Sequence, residues 1–107
     1  MRYLMMSFAN DTEPDEQLYA EMGKFIEETT AAGILLATGG LEPGGTRMTS
    51  VGDEITIVDG PFTEAKEAVG GFALVEVSSK EEAIELTRRF RKIVGDGTSL
   101  IQQVFGP

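Results

Sequence analysis

The side chains best suited to chemistry in this sequence are concentrated in the stretch VDGPFTEAKEAVGGF, residues 58–72. Asp59, Glu64 and Glu67 supply carboxylates, and Lys66 supplies a cation beside them. A carboxylate can act as a general acid or base when burial raises its pKa toward the working pH, and a lysine can stabilise an oxyanion. The stretch therefore supplies three candidate catalytic residues, Asp59, Glu64 and Lys66.

The spacing of Glu64 and Glu67 supports two interpretations. If the stretch forms a short helix, the two carboxylates lie one turn apart on one face and could bind a hard cation through oxygen. A Glu-Ala-Lys-Glu run is also the usual composition of a solvated helix surface. We therefore predict neither a bound metal nor a cofactor.

The tetrapeptide that opens this stretch, Asp59 to Phe62, has the composition of a turn. Aspartate can accept a hydrogen bond from a backbone N–H beyond it, glycine accepts positive φ, and proline fixes its own φ. The turn is either a rigid connector or one wall of a ligand-binding cleft. On the second interpretation the ligand-binding residues are Asp59, Gly60, Pro61, Phe62, Lys66 and Arg47, although Arg47 could instead pair with a cross-strand partner such as Glu54.

Two residue types that often carry chemistry do not occur in the chain, which has Cys 0 and His 0. Without cysteine there is neither a disulfide framework nor a thiolate nucleophile. Without histidine the chain lacks the usual acid or base near neutral pH and the base of any Ser-His pair. Proton transfer would have to use Asp, Glu, Lys, Tyr or water.

The charge balance argues against several classes of partner. The 107 residues carry Asp+Glu 18 against Lys+Arg 9, a net charge of -9. Nucleic acid and anionic membranes are disfavoured because both are bound through clustered cations. The cluster RRFRK, Arg88 to Lys92, complements a helix C-terminus, or could dock on an acidic partner. The start of the chain is too short for a membrane span or signal peptide, so we expect a cytoplasmic protein.

The elements that must position these residues follow from hydrophobic spacing. Residues 10–33 predict a helix capped by Asp11 or Thr12, with Pro14 in its first turn and Gly33 ending it. Residues 78–95 predict a second helix, since Ser79 and Glu82 form a capping box. Strands are predicted at 3–8, 34–41, 71–77 and 99–105, the second of them buried, and a hairpin at 46–58 with the turn Gly52-Asp53.

The predicted order is β-α-β, a hairpin, then β-α-β, in a single domain of residues 1–107. Two split βαβ halves in one sheet are the ferredoxin-like α+β pattern, here with an extra β-hairpin. Both helices would cover one face of the sheet and leave apolar side chains uncovered on the other. We therefore predict a homodimer whose sheets pack face to face. Glycines at 39–40 and 44–45 are expected to form a flexible rim to the cleft.

The DGPF tetrapeptide, followed by TEAKE, a glycine pair and an EEAIE helix, resembles the DGPF-domain branch of the YCII-related proteins. MRYLMM, AAGILLATGGLEP and GDGTSLIQQVF are also similar, so the resemblance covers nearly the whole chain. It implies a dimeric α/β-barrel of ferredoxin-like subunits. DGPF-branch proteins are mostly of unknown function, and many accompany extracytoplasmic-function sigma factors in bacteria. Some YCII-related members are thought to be enzymes that use a His and Asp pair, of which this chain has only aspartate.

Three functions remain open on the sequence. The first is a dimer that binds a small molecule in a cleft beside the DGPF loop. The second is a lyase, isomerase or dehalogenase-type enzyme that uses carboxylates and Lys66. The third is a protein partner in a sigma-factor circuit, without a small ligand. The missing histidine favours binding over catalysis.

Overall fold

A computed structural model describes residues 1–8, 14–60 and 68–106, which form six strands and two helices. In chain order they are β1 (Arg2–Phe8), α1 (Glu16–Ala31), β2 (Leu35–Gly40), β3 (Thr46–Val51), β4 (Glu54–Asp59), β5 (Val69–Glu76), α2 (Lys80–Val94) and β6 (Ser99–Val104). The order of strands and helices is the predicted one.

The four strands outside the hairpin form one antiparallel sheet in the order β2-β5-β1-β6. The first strand of each βαβ half therefore lies in the middle of the sheet, and the second lies at an edge. This order confirms the predicted α+β, ferredoxin-like fold with an extra hairpin. The hairpin strands β3 and β4 form a separate two-stranded sheet.

The core lies between one face of the sheet and the two helices. It consists of Tyr3, Met5, Val75, Val77, Ala83 and Leu86, with Phe25 of α1 packed against them. Because side chains alternate along a strand, the residues between these point to the opposite face. That outer face carries Leu4 opposite Leu74, and Met6 opposite both Phe72 and Leu100.

The start of α1 corrects the predicted cap. The helix begins at Glu16, and Asp15 is its N-cap: the carboxylate oxygen Oδ1 accepts a hydrogen bond from the N–H of Leu18 at 2.8 Å. Asp11 and Thr12 lie outside the described residues, and Pro14 precedes the cap. Several acidic residues precede this helix in the sequence, and the spacing of its apolar residues does not show which one is the N-cap. The predicted end is confirmed, since Gly33 follows the helix with φ 75.

The capping box of α2 is confirmed, with one difference in its partners. The N–H of Glu82 donates to the hydroxyl of Ser79 at 3.2 Å, as predicted. The carboxylate of Glu82 accepts from the N–H of Ser78 at 2.8 Å, one residue before the cap. The helix has an apolar face toward the core, because Ala83 and Leu86 are buried and Phe90 is half-buried.

Strand β2 is less buried than its apolar sequence predicted. It lies at the edge of the sheet, paired only with β5, and Leu36, Ala37 and Thr38 are exposed. The register shifts between Leu35 and Ala37, so the strand departs from regular pairing at this point. An apolar run does not distinguish an edge strand from a central one.

The hairpin β3–β4 extends away from the core as an arm, and every residue of both strands is exposed. Its strands have the predicted bounds, except that β4 also includes Asp59. Gly52 has φ 60, whereas Asp53 does not have a positive φ, since among the described residues only glycines do. This combination is the one that a two-residue type II′ turn requires. One face of the arm presents Met48 opposite Ile57, with Ile55 next along the strand.

Neither helix in the described part of the chain is long and apolar enough to cross a membrane.

Candidate functional site

A pocket of about 330 Å³ lies between the helices and the sheet. Small-molecule sites are concave and mostly apolar, with a few polar groups that fix orientation, and their volumes start at roughly 300 Å³. The pocket therefore has the size and surface of a site for a small, ring-sized molecule. It is lined by Met5, Met6, Ser7, Met22, Phe25, Ile26, Leu35, Thr38, Gly39, Gly40, Gly71, Phe72, Ala73, Phe90 and Ser99.

The apolar part of the lining comes from the helix faces that turn toward the sheet. Met22, Phe25 and Ile26 lie on α1, and Phe90 lies on α2. Opposite them, β1 and β5 contribute Met5 and Ala73, which are directly paired in the sheet. A space remains because alanine, rather than a large residue, occupies that position of β5.

The polar end of the pocket is a serine pair. Ser7 of β1 and Ser99 of β6 are opposite each other in the sheet, and both line the pocket. The Nη1 group of Arg91 donates to both hydroxyl oxygens, at 3.2 Å each. Its Nη2 group donates to the carbonyl oxygen of Gly95 at 2.8 Å. A part-buried guanidinium therefore lies directly behind two hydroxyls that face the pocket.

One side of the pocket is built from glycines, where β2 pairs with β5. Gly40 is opposite Gly71, and Gly39 is opposite Phe72. A Cβ atom on Gly39 would lie 3.2 Å from the Phe72 ring, and one on Gly71 would lie 3.3 Å from the carbonyl oxygen of Gly39. The first of the two predicted glycine pairs therefore borders this pocket, as part of strand β2. The second pair, Gly44 and Gly45, does not line the pocket.

The predicted site residues that the structure describes lie at the base of the arm, and none of them lines the pocket. The Asp59 carboxylate accepts a hydrogen bond from the hydroxyl of Thr46 at 2.7 Å, across the hairpin. The N–H of Gly60 donates to the carbonyl of Gly45 at 2.7 Å. Asp59 is thus the last residue of β4 rather than the first residue of a free turn.

The remaining candidates, Pro61, Phe62, Glu64, Lys66 and Glu67, lie outside the described residues. Whether they face a ligand stays a prediction. For Arg47 the register decides one alternative, because Val58 rather than Glu54 lies opposite it. The cross-strand pair of Arg47 with Glu54 is therefore wrong.

The basic cluster on α2 divides into separate roles. Arg88 pairs with Glu85 at 3.1 Å on the same helix. Arg89 pairs with Glu28 of α1 at 3.1 Å and lies over the ring of Phe25, 4.9 Å from its centre. Arg91 turns toward the serine pair instead. These cations are neighbours in the sequence. Their contacts nevertheless differ, because successive helical residues point in different directions.

Ser7 and Ser99 were missed as site residues. Each is a polar residue next to an apolar one on the core face of its strand, Ser7 beside Met5 and Ser99 beside Ile101, and that was the available signal. Single serines are common in strands, however, and only the β1–β6 register brings these two together.

The fold and the pocket define the class of protein: a ferredoxin-like α+β chain with a cavity between its helices and its sheet. The YCII-related domain family matches residues 1–101. The chain therefore belongs to the YCII-related family.

A curated relative is an uncharacterized protein, R00369, of Rhizobium meliloti (strain 1021). It is 33% identical over 79 residues, which make up 71% of this chain. The match spans 63% of that protein, less than two thirds of its length.

A similar solved structure is 5-chloro-2-hydroxyhydroquinone dehydrochlorinase (TftG) from Burkholderia phenoliruptrix AC1100, in complex with 2,5-dihydroxybenzoquinone. The likeness covers 100% of this chain and 96% of that one, with a TM-score of 0.54 and 16% sequence identity. At that identity the comparison shows a shared fold.

Proposed function

We propose that this YCII-related protein binds a small, ring-sized molecule in the pocket between its helices and its sheet. The observation that carries the proposal is the pocket itself, about 330 Å³ of mainly apolar space with a serine pair at one end. Burial of an apolar ring there would contribute about 25 cal/mol for each Å² removed from water. The predicted loop site at Asp59 and Lys66 would be a second contact region at the base of the arm.

Thermal unfolding of the wild type against a panel of phenols, small aromatic acids and quinones tests this proposal. A ligand at about a hundred times its dissociation constant stabilises the fold by roughly 2.7 kcal/mol, which raises the midpoint by several degrees. We expect Ala73→Leu to abolish the shift, because the added carbons fill the pocket. Ala37→Leu is the matched control, on exposed β2 outside the pocket, and should keep it.

A midpoint shift that survives in Ala73→Leu would contradict binding in this pocket. Asp59→Ala in the same panel separates the two candidate regions. Loss of the shift in that variant would place the ligand at the DGPF loop, whereas an unchanged shift would leave the loop as a connector.

The second candidate function is an enzyme of lyase, isomerase or dehalogenase type. The fold shared with a dehydrochlorinase favours it, and 2,5-dihydroxybenzoquinone belongs in the panel for the same reason. The carboxylates of Asp59 and Glu64, with Lys66, would have to move protons because the chain has His 0. Consumption of a panel compound that is lost in Asp59→Asn would support this function.

We also propose that the protein is a homodimer whose chains cover each other's outer sheet face. A monomer of 11.5 kDa is expected to expose about 5,800 Å². This chain exposes 7729 Å², an excess of about 1,900 Å² over that scaling. Stable interfaces cover roughly 800 Å² per partner, and obligate dimers cover more. The excess is therefore of the size that a second copy would bury.

Membership in the DGPF branch and a role beside a sigma factor remain predictions. If the chain is instead a protein partner in a sigma-factor circuit, the cluster RRFRK would dock on an acidic surface of the other protein. Arg88 and Arg89, two of its cations, already form ion pairs within the chain. This arrangement favours small-molecule binding over docking through that cluster.

A further inference from the structure

The polar end of the pocket has a distinctive balance of charge and hydrogen bonds. Arg91 donates to three neutral oxygens, those of Ser7, Ser99 and Gly95. Among the described residues it forms no ion pair, and its buried Nε atom has no hydrogen-bond partner. A part-buried guanidinium without a carboxylate is uncommon, because charges removed from water are normally paired.

The two serine hydroxyls lie between this charge and the pocket, and both can act as hydrogen-bond donors. Each hydroxyl oxygen accepts a hydrogen bond from Arg91, so its own O–H is directed elsewhere. In the described part of the chain neither hydroxyl donates to a protein acceptor, and both serines line the pocket. Hydrogen bonds polarise one another along a chain, so a guanidinium behind a hydroxyl strengthens that hydroxyl as a donor.

We propose that Ser7, Ser99 and Arg91 form a recognition site for the anionic oxygen of a small ring acid, a carboxylate or a phenolate. The ring would lie among Met5, Met22 and Phe90, in the apolar part of the same pocket. The anion would accept from the two serine hydroxyls and compensate the charge of Arg91. The site rests on the proposed ligand-binding function and specifies the class of molecule bound.

An anion is favoured here although the chain carries a net charge of -9. Exposed charges farther away than about 8–10 Å are largely screened at physiological ionic strength. Arg91 lies directly behind the hydroxyls, in a part-buried site where screening is weaker. The nearby cation therefore acts on a bound anion more strongly than the distant exposed charges do.

Methionine methyl NMR of the full chain tests the site, with sodium benzoate and its neutral analogue benzamide as probes. Met5 and Met22 report on the pocket, and Met48 on the exposed arm is an internal control. We expect both probes to shift the pocket methyls saturably at constant ionic strength. Benzoate should bind about tenfold more tightly or better, the usual gain from charge-assisted hydrogen bonds.

Two sets of variants test the assigned residues. Ser7→Ala combined with Ser99→Ala should remove most of the preference for benzoate, because benzoate loses charge-assisted hydrogen bonds and benzamide loses only weaker neutral ones. Arg91→Met should have the same effect, and Arg91→Lys should keep part of the preference. The matched control is Arg88→Met, which removes the same charge from the same helix and should keep the full preference.

Each contrary result has a separate meaning. Equal binding of benzoate and benzamide by the wild type would overturn the anion site and leave the ring-binding pocket intact. If Arg88→Met and Arg91→Met lose the preference for benzoate to the same extent, that preference reflects only net charge, and the anion site is overturned. If neither probe shifts Met5 or Met22, the anion site and the proposed function both fail. Should Arg91→Met not fold, the serine double variant decides.

Discussion

Arg91 differs from its neighbours Arg88 and Arg89 in the groups that its side chain contacts. Arg88 and Arg89 are exposed and pair with carboxylates, where an ion pair contributes about 0–1 kcal/mol. Arg91 is half-buried and donates to two serines that line a pocket. Among the described residues no carboxylate pairs with Arg91, which leaves its charge available for recognition. We therefore expect function to depend on Arg91 rather than on its exposed neighbours.

The N-cap of α1 gives a prediction about a single carboxylate. Asp15→Ala removes the acceptor for the N–H of Leu18, so the free energy of unfolding should fall by about 1 kcal/mol. Asp15→Asn keeps an acceptor oxygen and should lose only a few tenths of that amount. Urea unfolding at one fixed protein concentration measures both. Equal stability of Asp15→Ala and the wild type would show that another residue caps the helix.

The pairing of β2 with β5 shows how two strands create an opening. Regular side chains on both strands would fill the space under the helices, whereas Gly40 opposite Gly71 leaves it empty. The same segment brings the Phe72 ring against Gly39. The two neighbouring glycines therefore differ in their tolerance of a side chain.

Alanine substitutions at these two positions should have different effects. A Cβ atom at Gly40 would lie 3.8 Å from the nearest atom, an ordinary contact, so Gly40→Ala should stabilise the fold by up to about 1 kcal/mol. At Gly39 the same atom would lie 3.2 Å from the Phe72 ring, which offsets that gain. The two thermal midpoints check the difference. A higher midpoint for Gly39→Ala than for Gly40→Ala would contradict this account.

The whole chain is less compact than a single domain of its length usually is. The radius of gyration is 15.9 Å, whereas a compact domain of this length has about 13 Å. The arm causes part of this extension, and its Met48, Ile55 and Ile57 are 63%, 61% and 60% exposed. Two apolar surfaces of the chain, the outer sheet face and the arm face, are uncovered. We propose that in the dimer the two sheets pack face to face and that each arm lies against the other copy.

Adjacent residues of β4 provide a matched test of the dimer. Ile57→Glu places a charge on the apolar face of the arm and should weaken dimerisation by about tenfold or more, since burying an unpaired charge is costly. Thr56→Glu adds the same charge on the opposite face and should leave the dimer intact. Sedimentation equilibrium over a concentration series measures both. A monomeric wild type at micromolar concentration would contradict the proposal.

Much of the fold could be predicted from local patterns. The capping box at Ser79, the hairpin turn at Gly52 and the apolar faces of both helices each depend on residues close in sequence. The site was harder to predict, because the residue types best suited to chemistry lie in a different stretch, residues 58–72. The pocket instead uses residues that look unremarkable alone, such as Ser7 and Ala73.

The sequence by itself determined the order of elements, the ferredoxin-like pattern, the family resemblance and the exclusion of cysteine and histidine chemistry. These follow from residue types and from periodicities of two and 3.6 residues, which are local properties. Only the tertiary structure decided that Ser7 meets Ser99 above Arg91, that Ala73 leaves space under α1, and that β2 lies at an edge. Those facts depend on strand order and register, which are set by contacts between residues far apart in the chain.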